Sequence, residues 1–109
     1  MKDCDIADTM LILPEFEFHM FDQVGWAVQP NAIGVSVDAE QAYWNSELQG
    51  QGCVVAHQKN YHVAKPFDQT YECRSEMCLE LEKMGIAIKY HHPEVGAAGQ
   101  FEIEPMLGQ

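Results

Sequence analysis

Twice in this chain, once near each end, glutamate alternates with an apolar residue. The first run is Pro14-Glu15-Phe16-Glu17-Phe18 and the second is Phe101-Glu102-Ile103-Glu104. A period of two marks a strand with one buried and one open face. On such a strand Glu15 and Glu17 leave the same face roughly 7 Å apart, while Phe16, Phe18 and Met20 point into a core. Glu102 and Glu104 repeat the arrangement with Phe101 and Ile103 behind them. Glutamate is a poor strand former, and like charges directly opposite one another destabilise a sheet. The fold must therefore bury the aromatic sides of both strands and find a use, or a solvent, for the acidic sides.

The remaining elements follow from local pattern. Residues 9–22 read as a strand, with an edge or bulge at Pro14, which has no N–H for the ladder. Residues 24–28 and 33–37 are extended and separated by Gln29-Pro30-Asn31. Residues 38–45 form a turn or short helix, 48–59 a loop and 61–64 a short strand. A helix is predicted over residues 69–84, with Asp68 as its N-cap and Gly85 as its stop. Met77, Cys78, Leu81 and Met84 make one apolar stripe along it, read as core packing. Residues 86–92 alternate again, and a small-residue loop at 96–99 leads into the strand at 100–104. This order predicts an α+β unit with a mainly antiparallel sheet and one main helix. The last strand runs into Pro105-Met106-Leu107-Gly108-Gln109 with nothing after it to cover the sheet, the pattern of a shortened chain.

Apolar residues make up 47% of the chain, as expected of one that folds. The formal net charge is −11, from 17 acidic against 6 basic residues. Such a surface repels phosphate backbones, so no nucleic-acid partner is expected. Cys4, Cys53, Cys73 and Cys78 form no C-x-x-C pair and no signal peptide precedes them, which points to reduced thiols and a cytoplasmic location. The apolar runs are too short for a membrane span.

Glu94 precedes Glu102 across the glycine–alanine loop. If their strands are neighbours of the Glu15 strand, four or five carboxylates face one patch. One reading is a solvated acidic sheet face. The other is a divalent-cation site, where oxygen ligands favour Mg²⁺ or Mn²⁺ over zinc. In His91-His92-Pro93-Glu94, neighbouring strand residues face opposite ways, so at most one histidine joins Glu94, and His92 is nearer. A structural histidine is the alternative for either. His19, His57 and His62 carry no signal. No Walker loop and no G-x-G-x-x-G occur.

At these residues the chain resembles class I, bacterial-type glutamine synthetase. Pro14-Glu15-Phe16-Glu17-Phe18 with Phe21-Asp22 is similar to the family's P-E-x-E-F-x-x-F-D strand, and Trp44-Asn45-Ser46 to a later W-N-S. Tyr61, Pro66 and Asp68 resemble Y-F-x-x-P-x-D, followed by Arg74-Ser75-Glu76-Met77 on the next helix. The segment from His91 through Glu94, Val95, Gly99 and Gln100 to Glu102 resembles H-H-x-E-V-x-x-x-G-Q-x-E.

The resemblance implies ATP-dependent joining of ammonia to glutamate through γ-glutamyl phosphate, with two divalent cations between antiparallel strands. It implies that Glu17, Glu94 and Glu102 hold the metal near glutamate and ammonium, and that Glu15 holds the second metal at the ATP phosphates. Tyr61 falls at the ammonium pocket, His92 near the transferred phosphate, and residues 96–99 on the glutamate-side wall. Lys89 stands where the family usually carries an acidic residue near the nucleotide, and the 48–59 loop matches poorly.

Other ligands, the phosphate-gripping arginines and an amino-terminal domain have no counterpart in these motifs. Residues 1–109 are thus expected to be a single partial catalytic domain, truncated at both ends relative to the family and inactive alone. The implied partners are glutamate, ammonia, ATP and further copies of the chain. A truncated paralogue acting as a non-catalytic cation- or partner-binding module is the alternative.

Overall fold

The computed structural model of the chain describes residues 2–45 and 53–108. After a 3₁₀ turn at Lys2–Cys4 come β1 (Phe16–His19), β2 (Gln23–Gln29), β3 (Ala32–Asp38), α1 (Tyr71–Lys83), β4 (Ile88–Pro93) and β5 (Gln100–Pro105). The last strand is the central one: the main sheet has the order β1-β5-β4, and β2 pairs with β3 in a separate hairpin. All pairings among these strands are antiparallel. The architecture is α+β with one main helix, and matches the expectation from element order.

Register decides the faces. Phe16 pairs with Ile103, Glu17 with Glu102 and Phe18 with Phe101. On the other flank of β5, His92 pairs with Glu102 and Tyr90 with Glu104. Directly paired residues share a face. One side of the sheet is therefore aromatic, and the other carries Glu17, Glu102, Glu104, His92 and Tyr90. Helix α1 lies over the aromatic side, where the Arg74 guanidinium sits 4.6 Å from the Phe101 ring centre. Phe101 is wholly buried, a burial worth roughly 1.5–3 kcal/mol.

Local differences from the sequence reading have identifiable causes. The strand expected over residues 9–22 is reduced to β1, because Pro14 interrupts the ladder. Upstream, only an isolated bridge between Ile12 and Gly108 remains. Residues 61–64 form a turn, not a strand. His62 there has φ 53°, and its N–H is bonded to the Pro93 carbonyl at 3.1 Å. Helix α1 starts at Tyr71 with Thr70 in the cap position and no side-chain cap. Asp68, expected to cap it, instead takes two Arg74 N–H groups at 2.9 and 2.5 Å.

The helix ends as expected: Gly85 has φ +88°, and the Ile86 and Gly85 N–H groups return to the Leu81 and Glu82 carbonyls in a Schellman motif. Its apolar stripe is covered only in part. Arg74 and Cys78 are the buried positions of α1, and Met84 is 75% exposed.

A second small core gathers Ala39, Ala42, Val55 and Ala98, with Phe21 and Trp44 against it. Gly99 closes the turn into β5 with φ +85°, and an added Cβ there would lie 2.7 Å from the Met20 carbonyl oxygen. In the hairpin, Val24, Trp26, Val28, Ile33, Val35 and Val37 share one face by register, and all are exposed. Ser46, residues 48–52 of the expected loop, and Gln109 lie outside the described residues. The four cysteines are free. Among the described residues no helix is long and apolar enough to cross a membrane.

Candidate metal centre

Strand β4 sends its two adjacent histidines to opposite sides, and their hydrogen bonds give them opposite protonation patterns. His91 faces α1. Its Nδ1 accepts from Arg74 Nε at 3.2 Å, so that nitrogen carries no proton. Its Nε2 lies 3.3 Å from Ser75 Oγ, whose hydroxyl donates to the Tyr71 carbonyl at 2.8 Å. Burial, reinforced by the Arg74 charge, lowers the His91 pKa, which keeps this ring neutral.

His92 faces the acidic side and is 6% exposed. Its Nδ1 lies 3.0 Å from the Pro93 carbonyl oxygen, and a carbonyl can only accept, so Nδ1 donates. In the neutral ring Nε2 is then a bare lone pair, 3.5 Å from Glu102 Oε2. Two acceptors facing one another are stable only with a cation between them, a proton or a metal. A histidine whose second nitrogen is tied to a carbonyl also has the orientation expected of a metal ligand. The ring is held on several sides. His62 stacks on it at 3.9 Å, Tyr90 stacks at 5.4 Å, and Tyr61 meets it edge-on at 5.6 Å.

Glu94 follows β4 and is fixed by its backbone N–H on the Gln100 carbonyl at 2.8 Å. Its Oε1 approaches His92 Nδ1 at 3.5 Å. His92, Glu94 and Glu102 each offer one donor atom within 4.8 Å of the others, and all three residues are buried. Glu102 is pushed up to about 7, first by burial, then by a hydrogen bond with Glu94, with the charges of Glu15 and Glu94 adding to it against the opposing effect of His92. The metal-free site thus retains a proton near neutrality, which a divalent cation would displace.

A second group adjoins the first. Glu15, Glu102 and Glu104 also bring donor atoms within 4.8 Å of one another. Glu104 is 1% exposed, and Lys89 Nζ lies 2.6 Å from its Oε1. The bond from Lys89, then one from the Tyr90 hydroxyl, holds the Glu104 carboxyl below the usual carboxylate range.

Of the residues singled out in the sequence, Glu15, Glu94, Glu102 and His92 therefore fall in these two adjoining groups. Glu17 stands opposite Glu102 in the ladder, but Gln100 Nε2 holds its carboxylate at 2.7 Å, and neither convergent group includes it. Tyr61 is 57% exposed at the rim of the His92 ring.

Three features of the surroundings escape sequence reasoning. His62 is one: nothing in its neighbours announces a left-handed backbone that stacks it on His92. Asn60 is another, 1% exposed and donating to the Ala97 and Gln100 carbonyls at 3.2 and 3.1 Å, which ties down the loop between Glu94 and β5. The third is the buried Asp68–Arg74 pair. Its only signal is an arginine six residues after an aspartate at a helix start.

The sequence profile of the glutamine synthetase catalytic domain matches residues 1–108. The chain is 41% identical over 107 residues to a glutamine synthetase of Methylococcus capsulatus, covering 94% of this chain and 23% of that protein. It is 36% identical over 107 residues to the Escherichia coli K12 glutamine synthetase, covering 94% of this chain and 23% of that one. A cryo-EM structure of Plasmodium falciparum glutamine synthetase superposes with a TM-score of 0.76 at 20% identity, over 90% of this chain and 20% of that one. That last likeness is one of fold. The chain spans less than a quarter of the length of these curated relatives.

Proposed function

Since this chain belongs to the glutamine synthetase family, we propose that it carries part of the divalent-cation and substrate site of an ATP-dependent glutamate–ammonia ligase. The observation that carries this reading is the convergence of His92, Glu94 and Glu102 as three buried donors on one sheet face. The two carboxylates among them supply the oxygen donors that suit Mn²⁺ or Mg²⁺. Such an ion, when bound, supplies the positive charge that offsets phosphoryl oxygens in γ-glutamyl phosphate chemistry.

In this reading Glu94 and Glu102 hold the cation, with Glu17 opposite Glu102 as a further carboxylate within the same face. His92, steadied by Pro93 and its ring neighbours, stands beside the transferred phosphate. Tyr61 lines the ammonium side, and Glu15 faces the ATP side. The remaining ligands and substrate-gripping groups belong to other parts of the enzyme, so this chain alone forms no glutamine. Copies of it associate in the working assembly, and the open apolar face of β2 and β3 supports that, since a patch of this kind marks a contact surface.

Thermal melts test the cation site. A ligand binding only the folded state adds about 2.7 kcal/mol at a hundredfold excess over its Kd. Mn²⁺ is expected to raise the Tm of the wild type, and to do so far less for Glu94→Gln and Glu102→Gln. Na⁺ at matched ionic strength controls for screening. Equal shifts in all three proteins would leave only a solvated acidic face.

A further inference from the structure

The second acidic group does not fit the second divalent cation that the family resemblance implies, because a cation of the chain's own is already there. Glu15, Glu102 and Glu104 converge, yet the Lys89 ammonium bonds Glu104 at 2.6 Å and lies 4.8 Å from the Tyr90 ring centre. Strand alternation would put Lys89 and Tyr90 on opposite faces. The register shift between Ile88 and Tyr90 makes Lys89 the additional residue of β4, and a bulge of this kind re-aims a side chain. Both residues consequently address the Glu104 carboxylate.

We propose that Lys89 is a tethered cation that takes the place of a divalent ion at the Glu15–Glu102–Glu104 group, leaving His92–Glu94–Glu102 as the one divalent site of this segment. A hard divalent ion needs several free carboxylate oxygens. Here the most buried of them is occupied by an ammonium, and a second positive charge beside it is repelled. Lys89 thus sets how many metal ions this sheet face accepts. The inference deepens the functional reading above and rests on it only for the neighbouring site.

Mn²⁺ stoichiometry, read by the EPR signal of the free ion during titration of the whole chain, tests it. Lys89→Met removes the charge and keeps the side chain's length. Lys83→Met removes the same charge from an exposed pair with Glu80 on α1 and serves as control. Lys89→Met is expected to bind one more equivalent of Mn²⁺ than the wild type, and Lys83→Met no more than the wild type.

An unchanged count in folded Lys89→Met overturns the proposal, as does an equal gain in Lys83→Met, which would make the effect one of bulk charge. Two equivalents in the wild type, with Lys89 in place, overturn it without any variant. If circular dichroism shows Lys89→Met unfolded, Lys89→Gln keeps a donor toward Glu104 and is read the same way. The functional reading is judged separately, by whether the wild type binds any Mn²⁺ at all. A gain of one equivalent in Lys89→Met over a wild type that binds none would sustain the part played by Lys89 while sinking that reading and the neighbouring site with it.

Discussion

Arg74→Met is the substitution expected to damage this fold most for its size. Arg74 is wholly buried and its Asp68 partner nearly so, joined by bonds of 2.9 and 2.5 Å. Removing the guanidinium leaves the Asp68 carboxylate, among the described residues, with the Thr70 amide and hydroxyl at 3.3 and 3.2 Å. It also takes the donor from His91 Nδ1 and uncovers Phe101. Deleting one member of a buried ion pair costs about 3–5 kcal/mol, against a total stability of about 5–15 kcal/mol for a small domain.

Asp68→Leu alone leaves a buried guanidinium unpaired and is expected to cost a similar amount. Asp68→Leu with Arg74→Met removes both charges, so its cost is expected to fall short of the sum by about 1–3 kcal/mol. Urea unfolding followed by far-ultraviolet circular dichroism measures all three, with m-values compared to show that one transition is being observed. Single-variant losses below about 1 kcal/mol, or strictly additive losses, would refute the account of this pair as the anchor of α1.

The metal-free protein is expected to lose stability as pH rises through the Glu102 window. The folded carboxyl titrates at about 7 against an ordinary 4.5, so the folded state keeps a proton that the unfolded chain has released. This contribution is fully present below 4.5 and lost as pH rises through about 7. Glu102→Gln should flatten that part of the profile in urea melts, and an unchanged slope would show that another group is responsible. Gly99→Ala is expected to cost about 1–3 kcal/mol, because a side chain in the left-handed region is strained and its Cβ would meet the Met20 carbonyl oxygen at 2.7 Å. A Tm equal to that of the wild type would show that the turn relaxes freely.

Legibility in the sequence followed the range of the interaction. The faces of β1 and β5 were readable because period-two alternation is local, and Phe18, Phe101 and Ile103 behind the glutamates needed no partner to be recognised, whereas Phe16 shares that face but is 58% exposed and not in a core. The helix stop at Gly85 was readable for the same reason. Asp68 was misread as a cap because its stronger partner, Arg74, lies on the helix it was expected to start, and a bidentate guanidinium outcompetes the backbone N–H groups of a first turn. The strand at 9–22 was overextended because alternation does not count missing ladder donors. The face that Lys89 addresses could not be read from alternation, since a bulge breaks the parity on which any reading of faces depends.

The adjacent histidines explain why the back of the sheet matters to its acidic front. Both belong to β4, so whatever fixes one ring fixes the strand that carries the other. His91 is locked from behind by Arg74 and Ser75, two residues of α1. His92 is left with Nδ1 tied to Pro93 and Nε2 turned toward Glu102. Asn60 holds the loop that returns from Glu94 to β5, which fixes the distance between the two carboxylates. A polar network on the apolar side of the sheet therefore supplies rigidity to the three converging donors, which the proposed cation site would require. Loss of the Asp68–Arg74 pair should accordingly weaken Mn²⁺ binding even in molecules that remain folded, although neither residue touches the site.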